Sequence, residues 1–183
     1  MAELDTFRLH PGDPAPKFAL PGTDGRTWTL ADFDDRKLLL VTFWCNHCPY
    51  VLAWESRALE LGKRYGPKGV GFVLINSNDA AAYPTDDFEA MVERAREQRY
   101  PFPYLRDETQ EVARAYGALV TPHPMLFDKD RRLLFQGRID DSHDHPERVR
   151  ERFVERAIEQ ALAGRPVQPS ALAVLGCTVK WRP

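Results

Sequence analysis

The sequence predicts an α/β fold in which a mixed sheet is flanked by helices. Two apolar runs with β-branched centres, "LLLVTFW" (residues 38–44) and "GVGFVLINSN" (residues 69–78), are typical of strands buried on both faces. A helical pattern follows each run, and "MLFD", a turn at "DKDRR" and "LLFQGRI" then predict an antiparallel hairpin. Strands and helices that alternate in this order place helices on both faces of one sheet.

The elements before and after the first buried strand follow from turn and capping chemistry. Residues 1–16 are rich in Pro and Asp and are interpreted as an N-terminal arm. "KFAL", a turn at "PGTDG" and "RTWTL" predict a short β-hairpin. A helix is predicted to begin at Pro49, because proline suits the first helical position, and to end near Gly66.

Capping signals also predict the two middle helices. Asp86 with Glu89 three residues later resembles a capping box that opens a helix. Asp107 and Gln110 are expected to cap the next helix, "ETQEVARAY", which Gly117 closes.

The C-terminal part of the sequence predicts one more helix and a tail. Apolar residues recur at helical spacing between Pro146 and Gly164. The apolar tail at 165–183 is expected to pack back on the body. No repeat or linker divides residues 1–183, so a single domain is predicted.

Composition narrows the class of protein. The chain has 183 residues, 43% of them apolar, and a net charge of −2, which favours no nucleic acid and no membrane surface as partner. No apolar run approaches the roughly 20 residues of a membrane span. The opening "MAELDTFRLHPGDPAP" lacks an apolar h-region, so a cytoplasmic location is expected. With only three cysteines, a disulfide framework is not predicted.

The motif "TFWCNHCPY" (residues 42–50) contains the chemistry-bearing cysteine pair, Cys45 and Cys48. Covalent haem attachment is excluded because Pro49, not histidine, follows the second cysteine. A zinc site needs four ligands, and the remaining candidates, such as Cys177 and His123, form no spaced pair, so no metal is predicted. An inert buried pair remains the alternative to a redox dithiol.

The redox interpretation has a physical basis in the position of the pair. Cys45 precedes a helix start, where free N–H groups and the helix dipole stabilise a thiolate. His47 can add a donor or a cation, and such settings lower a cysteine pKa from about 8.5 to roughly 3.5–7.5. Cys45 is therefore predicted to be the nucleophile and Cys48 the resolving thiol. The redox-active disulfide between them would replace any cofactor.

The chain resembles the thioredoxin superfamily in two separate motifs. Besides the cysteine pair, "YGALVTPHPMLFD" places Pro122, preceded by Thr121, where members of the superfamily have a cis-proline before a main strand. "CNHCPYV", "INSND", "TPH" and "GCTVKW" resemble a branch described as peroxiredoxin-like. The resemblance implies a thioredoxin-like fold and redox chemistry, with Pro122 packed against the dithiol.

Two histidines have roles implied by this resemblance. Leu39 stands where thioredoxin has a buried, proton-transferring Asp, so His123 is the candidate base; alternatively, it is a surface residue beside the site. His47 occupies the slot of the histidine in oxidising members, which predicts a reduction potential above about −270 mV.

A peroxidase is the competing enzyme class. Peroxiredoxins carry Pro, then Thr, then the peroxidatic Cys; here Thr42 and Cys45 have the right spacing, but Leu38 replaces the proline. Thr42 could equally be an ordinary strand residue. Arg138 could pair with the thiolate, as an arginine does in peroxiredoxins, or make a surface ion pair.

Three residues are predicted at the border of the site. Trp44 is expected to be exposed at the rim and, with Thr121, to contact substrate. Cys177 is either a buried inert thiol or, on a tail folded over the domain, a thiol close to the dithiol.

The function predicted is a thiol–disulfide oxidoreductase acting on protein or small-thiol disulfides through Cys45 and Cys48. An external thiol system, such as thioredoxin or glutathione, would return the dithiol to its reduced form. The alternatives are a thiol peroxidase using Cys45 and a non-catalytic redox-sensing module.

Overall fold

Residues 6–183 are described by a computed structural model, in which they form nine strands and four α-helices. The strands are β1 (Ala19–Pro21), β2 (Thr27–Thr29), β3 (Leu38–Phe43), β4 (Val70–Asn76), β5 (Tyr104–Arg106), β6 (Val120–Thr121), β7 (His123–Phe127), β8 (Leu133–Gln136) and β9 (Cys177–Thr178). The helices are α1 (Pro49–Tyr65), α2 (Phe88–Glu97), α3 (Glu111–Tyr116) and α4 (Phe153–Leu162).

Five of these strands form the central sheet, in the order β5-β4-β3-β7-β8. β3, β4 and β5 run parallel, whereas β7 pairs antiparallel with β3 and β8 antiparallel with β7. This is the mixed sheet that the sequence predicts, and the β1–β2 hairpin is also confirmed. Since parallel strands end at the same edge, the residues after β3 and β4 meet there.

The apolar side chains of β3 alternate between two cores, one on each face of the sheet. Leu38 and Leu40 belong to the core that contains both cysteines of the pair and residues of α1 and α4. Leu39, Val41 and Phe43 belong to the core that contains residues of α3 and of the N-terminal segment. Helices therefore cover both faces, as expected for strands without a polar side.

Two predicted helix starts differ from the structure. Asp87, not Asp86, caps α2, because its carboxylate accepts a hydrogen bond of 2.8 Å from the N–H of Ala90. The last helix begins at Phe153, since the segment Pro146–Arg148 forms a separate 3-10 turn. The capping box predicted at Asp86 is therefore wrong, and the side chain of Asp86 is free for another role.

The N-terminal segment covers both edges of the central sheet. Along β8, Gly12 N–H donates to Leu133 O at 2.8 Å and Leu133 N–H donates to Asp13 O at 2.9 Å. Along β5, Gly22 bridges Leu105, and Thr23 N–H donates to Tyr104 O at 2.9 Å. The described part of the predicted arm is thus packed on the sheet; residues 1–5 lie outside the described range.

The tail also lies on the body. Leu172 N–H donates to Gln136 O at 3.0 Å, which places this part of the tail beside β8. Further on, β9 pairs antiparallel with β6, with Cys177 opposite Thr121. Within residues 6–183, no helix has the length and apolar character needed to cross a bilayer.

Candidate active site

The cysteine pair lies at the carboxyl end of β3, where the chain turns into α1. Trp44 N–H still bonds to Ile75 O of β4 at 2.8 Å, and Cys45 begins the turn. Cys48 is the residue that caps α1, and Pro49 takes the first helical position, as predicted. Both thiols are free and buried, with Cys45 1% and Cys48 0% exposed.

Thr121 contacts both sulfurs with different atoms. Its Oγ1 lies 3.2 Å from Cys45 Sγ, and its carbonyl oxygen lies 3.2 Å from Cys48 Sγ. The peptide bond from Thr121 to Pro122 is cis, as the resemblance implies, and β7 begins directly after it. The residue before the cis-proline therefore holds the dithiol from the side opposite α1.

Asp86 is a buried acidic residue at the same edge of the sheet. Its carboxylate accepts hydrogen bonds from Asn46 N–H at 2.7 Å, Asn76 Nδ2 at 3.1 Å and Asn78 Nδ2 at 2.9 Å. His47 Nδ1 lies 2.6 Å from Asp86 Oδ2. These donors compensate the charge of a side chain that is 0% exposed.

His47 is oriented by Asp86 and by an aromatic ring. Its Nδ1 is at ion-pair distance from Asp86 Oδ2, but among residues 6–183 it has no partner with hydrogen-bond geometry. The ring stacks on Tyr83 with centroids 5.6 Å apart and planes 4° from parallel. The side chain of His47 is 29% exposed, so it connects the buried carboxylate of Asp86 with solvent.

The side chains around the cysteine pair are also chemically suited to bind a metal ion. Cys45, His47 and Asp86 offer one ligand atom each within 4.8 Å of one another, so folding assembles a cluster that sequence spacing did not predict. Two ligands of one zinc ion lie about 3.3 Å apart, given bonds of about 2.0–2.2 Å. The 2.6 Å between His47 Nδ1 and Asp86 Oδ2 is shorter than that spacing.

The pKa of the Cys45 thiol is raised, contrary to the prediction that this sulfur is kept anionic. The hydrogen bond with the Cys48 thiol is the largest cause, followed by burial and by the negative charge of Asp86. The Thr121 hydroxyl and the Cys48 N–H act in the opposite direction. Burial and the charge of Asp86 thus oppose a thiolate at Cys45.

The pKa of the Cys48 thiol is lowered to about 4, first by the hydrogen bond from Cys45. The Cys177 thiol and the N–H groups of Val51 and Cys177 also lower the pKa of Cys48. Burial raises the pKa of Cys48 and so acts against these donors. N–H groups at the start of α1 thus lower the pKa of both thiols, that of Val51 acting on Cys48 and that of Cys48 acting on Cys45.

His123 is not brought to the sulfurs. It is 0% exposed, which rules out the surface position, and its Nδ1 accepts a 3.3 Å hydrogen bond from Leu119 N–H. Its ring lies 5.7 Å from that of Phe7. Burial lowers the pKa of His123 to about 4, so it is a poor proton acceptor.

Trp44 is buried in the core and not exposed at the rim, so that prediction is wrong. It is 0% exposed, and its Nε1 donates to Tyr100 Oη at 3.1 Å. Tyr100 in turn donates to Glu55 Oε2 at 2.6 Å. Since Trp44 still pairs with β4, its side chain points into the sheet's core and cannot contact substrate.

The two residues considered for peroxidase chemistry have other contacts among the described residues. Thr42 is buried in β3, in register with Leu74 and Pro124. The guanidinium of Arg138 lies 5.5 Å from the ring centroid of Phe153 and forms none of the ion pairs found in residues 6–183. The hydroxyl at Cys45 belongs to Thr121, not Thr42.

Cys177 does lie at the dithiol. It packs against the core cluster that contains Cys45 and Cys48, and its thiol interacts with the Cys48 sulfur. Of the two interpretations open for this residue, the structure places it close to the site and half-buried.

The functional residue that sequence reasoning missed is Asp86. Its spacing to Glu89 predicted that it caps α2, although Asp87 offers a carboxylate one residue later and is the actual cap. A partial signal was available in the polar run "NSND" at the end of β4, which contains the Asp86 partners Asn76 and Asn78, since side chains at the carboxyl ends of parallel strands converge.

The fold and site together define the class of protein. A mixed five-stranded sheet between helices, with a Cys-x-x-Cys pair at the start of α1 and a cis-proline before β7, is a thioredoxin-like fold in its peroxiredoxin-like branch. The AhpC/TSA family profile matches residues 11–136, and the chain belongs to this family.

The relatives agree with this class. A crystal structure of an uncharacterized conserved protein from Geobacillus kaustophilus is 42% identical, with a TM-score of 0.89, and the alignment covers 96% of this chain and 94% of that chain. "Thiol-disulfide oxidoreductase ResA" from Bacillus thuringiensis is 25% identical over 69% of each protein. "Putative peroxiredoxin MT2597" from Mycobacterium tuberculosis is 31% identical over 62% of this chain and 67% of its own length. These relatives support a thioredoxin-like redox function.

Proposed function

We propose that the protein is a thiol–disulfide oxidoreductase that uses Cys45 and Cys48. The observation that carries the proposal is the shared contact of both thiols with Thr121, the residue before cis-Pro122, which lies 3.2 Å from each sulfur and so holds the two cysteines at one point. An inert buried pair would not need the polar cluster of Asp86 and His47 around it.

The chemistry is a two-step exchange. Cys45 loses its proton to the Asp86–His47 pair and attacks a substrate disulfide, which forms a mixed disulfide and releases one substrate thiolate. Cys48 then attacks Cys45 Sγ as its thiolate, closing the Cys45–Cys48 disulfide and releasing the second substrate thiol. Two electrons pass from the dithiol to the substrate.

The substrates proposed are protein or small-thiol disulfides, in a reducing compartment such as the cytosol. An external thiol donor, of the thioredoxin or glutathione type, would reduce the Cys45–Cys48 disulfide after each turnover. Because both sulfurs are buried, the site must open locally before substrate reaches Cys45.

Insulin reduction with dithiothreitol tests the proposal. The wild-type protein should accelerate the reaction, and Cys45→Ser should lose at least about a hundredfold of that acceleration, because the thiol proposed to attack the substrate disulfide is removed. A wild-type protein without activity, or a fully active Cys45→Ser variant, would overturn the proposal.

Thiol peroxidase activity is the second candidate, favoured by the match to the AhpC/TSA family. In that reaction, Cys45 would be oxidised by peroxide to a sulfenic acid, and Cys48 would condense with it to the disulfide and release water. Peroxide consumption coupled to the same reductant separates the two activities. Consumption without insulin reduction would favour the peroxidase.

A further inference from the structure

The three cysteines of the chain differ in access to solvent. Cys45 is 1% exposed and Cys48 is 0% exposed, whereas Cys177 is only half-buried. An external thiol can therefore reach Cys177 without opening the core, but it cannot reach the sulfur of Cys45 or Cys48 in this way.

The tail holds Cys177 at the centre of the site. In the β6–β9 pair, Cys177 lies directly opposite Thr121, whose side chain and carbonyl group contact Cys45 and Cys48 respectively. The thiol and the backbone N–H of Cys177 both interact with the Cys48 sulfur. All three sulfurs thus surround one residue, Thr121.

The tail is shaped for this close approach. Gly176 has no side chain where a Cβ would lie 2.3 Å from the carbonyl oxygen of Thr121, so any larger residue would push β9 away. Beyond Cys177, the backbone of Lys180 is held on both sides: its O accepts from Asp79 N–H at 2.8 Å, and its N–H donates to Asn78 Oδ1 at 2.8 Å. A tail that did not pack against β6 would need neither Gly176 nor the hydrogen bonds of the Lys180 backbone.

We propose that Cys177 is the third thiol of the exchange site and passes the disulfide of the buried pair to thiols in solution. This rests on the proposed function. The Cys177 thiolate attacks Cys48 Sγ of the Cys45–Cys48 disulfide, so that the Cys48–Cys177 bond forms and Cys45 leaves as a thiolate. Cys45 takes up the proton that Cys177 gave up, and no electrons are gained or lost.

Reduction then takes place at the half-buried Cys177. One external thiol attacks Cys177, which breaks the Cys48–Cys177 bond, returns Cys48 as a thiol and leaves a mixed disulfide on Cys177. A second external thiol releases Cys177 and departs as an oxidised dimer, so the two electrons come from the external thiols. Burial and Cys48 raise the pKa of Cys177 to about 11, so the relay should accelerate as pH rises.

The first experiment uses the Cys45→Ser variant, which retains only Cys48 and Cys177. After oxidation with oxidised dithiothreitol, peptide mapping should find an intramolecular Cys48–Cys177 disulfide. Adding Gly176→Ala to this variant should slow the formation of that disulfide by at least about tenfold, because β9 is displaced while both thiols remain. Absence of the disulfide in Cys45→Ser would overturn the proposal.

The second experiment uses Cys177→Ser, whose Cys45–Cys48 pair is intact. Glutathione should reduce the oxidised form of this variant at least about tenfold more slowly than oxidised wild type. Equal rates would overturn the relay but leave the proposed function standing. A wild-type protein that forms no Cys45–Cys48 disulfide would instead contradict the proposed function itself.

Discussion

At the scale of single residues, two side chains act on Cys45 in opposite directions. The Thr121 hydroxyl, 3.2 Å from the sulfur, lowers the pKa of Cys45 because it can donate a hydrogen bond to the thiolate. Asp86 raises the same pKa because a second negative charge nearby is unfavourable. Each effect can be removed by one nearly isosteric substitution.

Thr121→Val is expected to raise the pKa of Cys45 further, because the donor to the thiolate is lost. Insulin reduction at neutral pH should become about tenfold slower, the equivalent of one modest hydrogen bond to a charged group. The matched control is Thr42→Val, which removes a buried hydroxyl of β3 without a contact to either sulfur. Equal losses in the two variants would contradict the role given to Thr121.

Asp86→Asn is expected to lower the pKa of Cys45, because the negative charge disappears while the shape of the side chain is kept. A titration followed by NMR of ¹³Cβ-labelled cysteine reads this pKa without requiring access to the buried sulfur. Asp87→Asn, which removes the charge of the α2 cap one residue later, serves as the control. A rise in the pKa of Cys45 in Asp86→Asn would contradict the effect attributed to Asp86.

The predictability of individual site residues depends on how local their signal is. Cys45, Cys48 and Pro122 were predictable because each belongs to a contiguous motif at an element boundary. Asp86 and Cys177 reach the dithiol only through long-range folding. Trp44 was placed wrongly because nothing in the sequence says which way a side chain points just beyond a strand.

At the scale of elements, α1 connects the site to α2. Glu55 of α1, 6% exposed, accepts hydrogen bonds from Arg94 Nε at 3.0 Å and from Tyr100 Oη at 2.6 Å. Tyr100 also receives the Trp44 indole N–H. The buried carboxylate therefore fixes the residue directly before Cys45 through one intermediate ring.

Glu55→Gln is expected to lower the free energy of unfolding by about 3 kcal/mol, because Arg94 then loses the one charged partner it has among residues 6–183, in a largely buried pair. The control is Glu60→Gln on the exposed side of α1, whose loss should stay within about 0.5 kcal/mol. Urea unfolding measures both. A Glu55→Gln loss no larger than that of the control would contradict this account.

Long elements were predictable from sequence, and very short ones were not. β3, β4 and α1 have continuous apolar or amphipathic patterns with clear caps. β6 and β9 are two residues each, too short for any periodicity, and form only because the tail returns to Thr121. The strand pair that carries Cys177 to the site therefore left no pattern in the sequence.

At the scale of the whole molecule, buried His123 links folding to pH. Its pKa falls from 6.5 to about 4 on burial, so the folded state binds fewer protons than the unfolded state between these values. The free energy of unfolding should therefore drop as pH falls from about 6.5 to 4, by up to about 3 kcal/mol.

Replacing His123 tests this dependence. In His123→Phe, the dependence of the unfolding free energy on pH between pH 6.5 and 4 should become shallower. The control is His10→Gln at an exposed position, which should have the same slope as the wild type. Urea unfolding at several pH values provides the measurement. Identical slopes in wild type and His123→Phe would show that His123 is not the group concerned.

The packing of the N-terminal segment along the outer strands has a consequence for association between copies. Free N–H and C=O groups on an unprotected rim invite strand addition by another chain. Here, residues 12–23 satisfy such groups on β8 and on β5 at once. Proteolytic trimming past residue 23 should therefore promote self-association through the sheet, which sedimentation would detect.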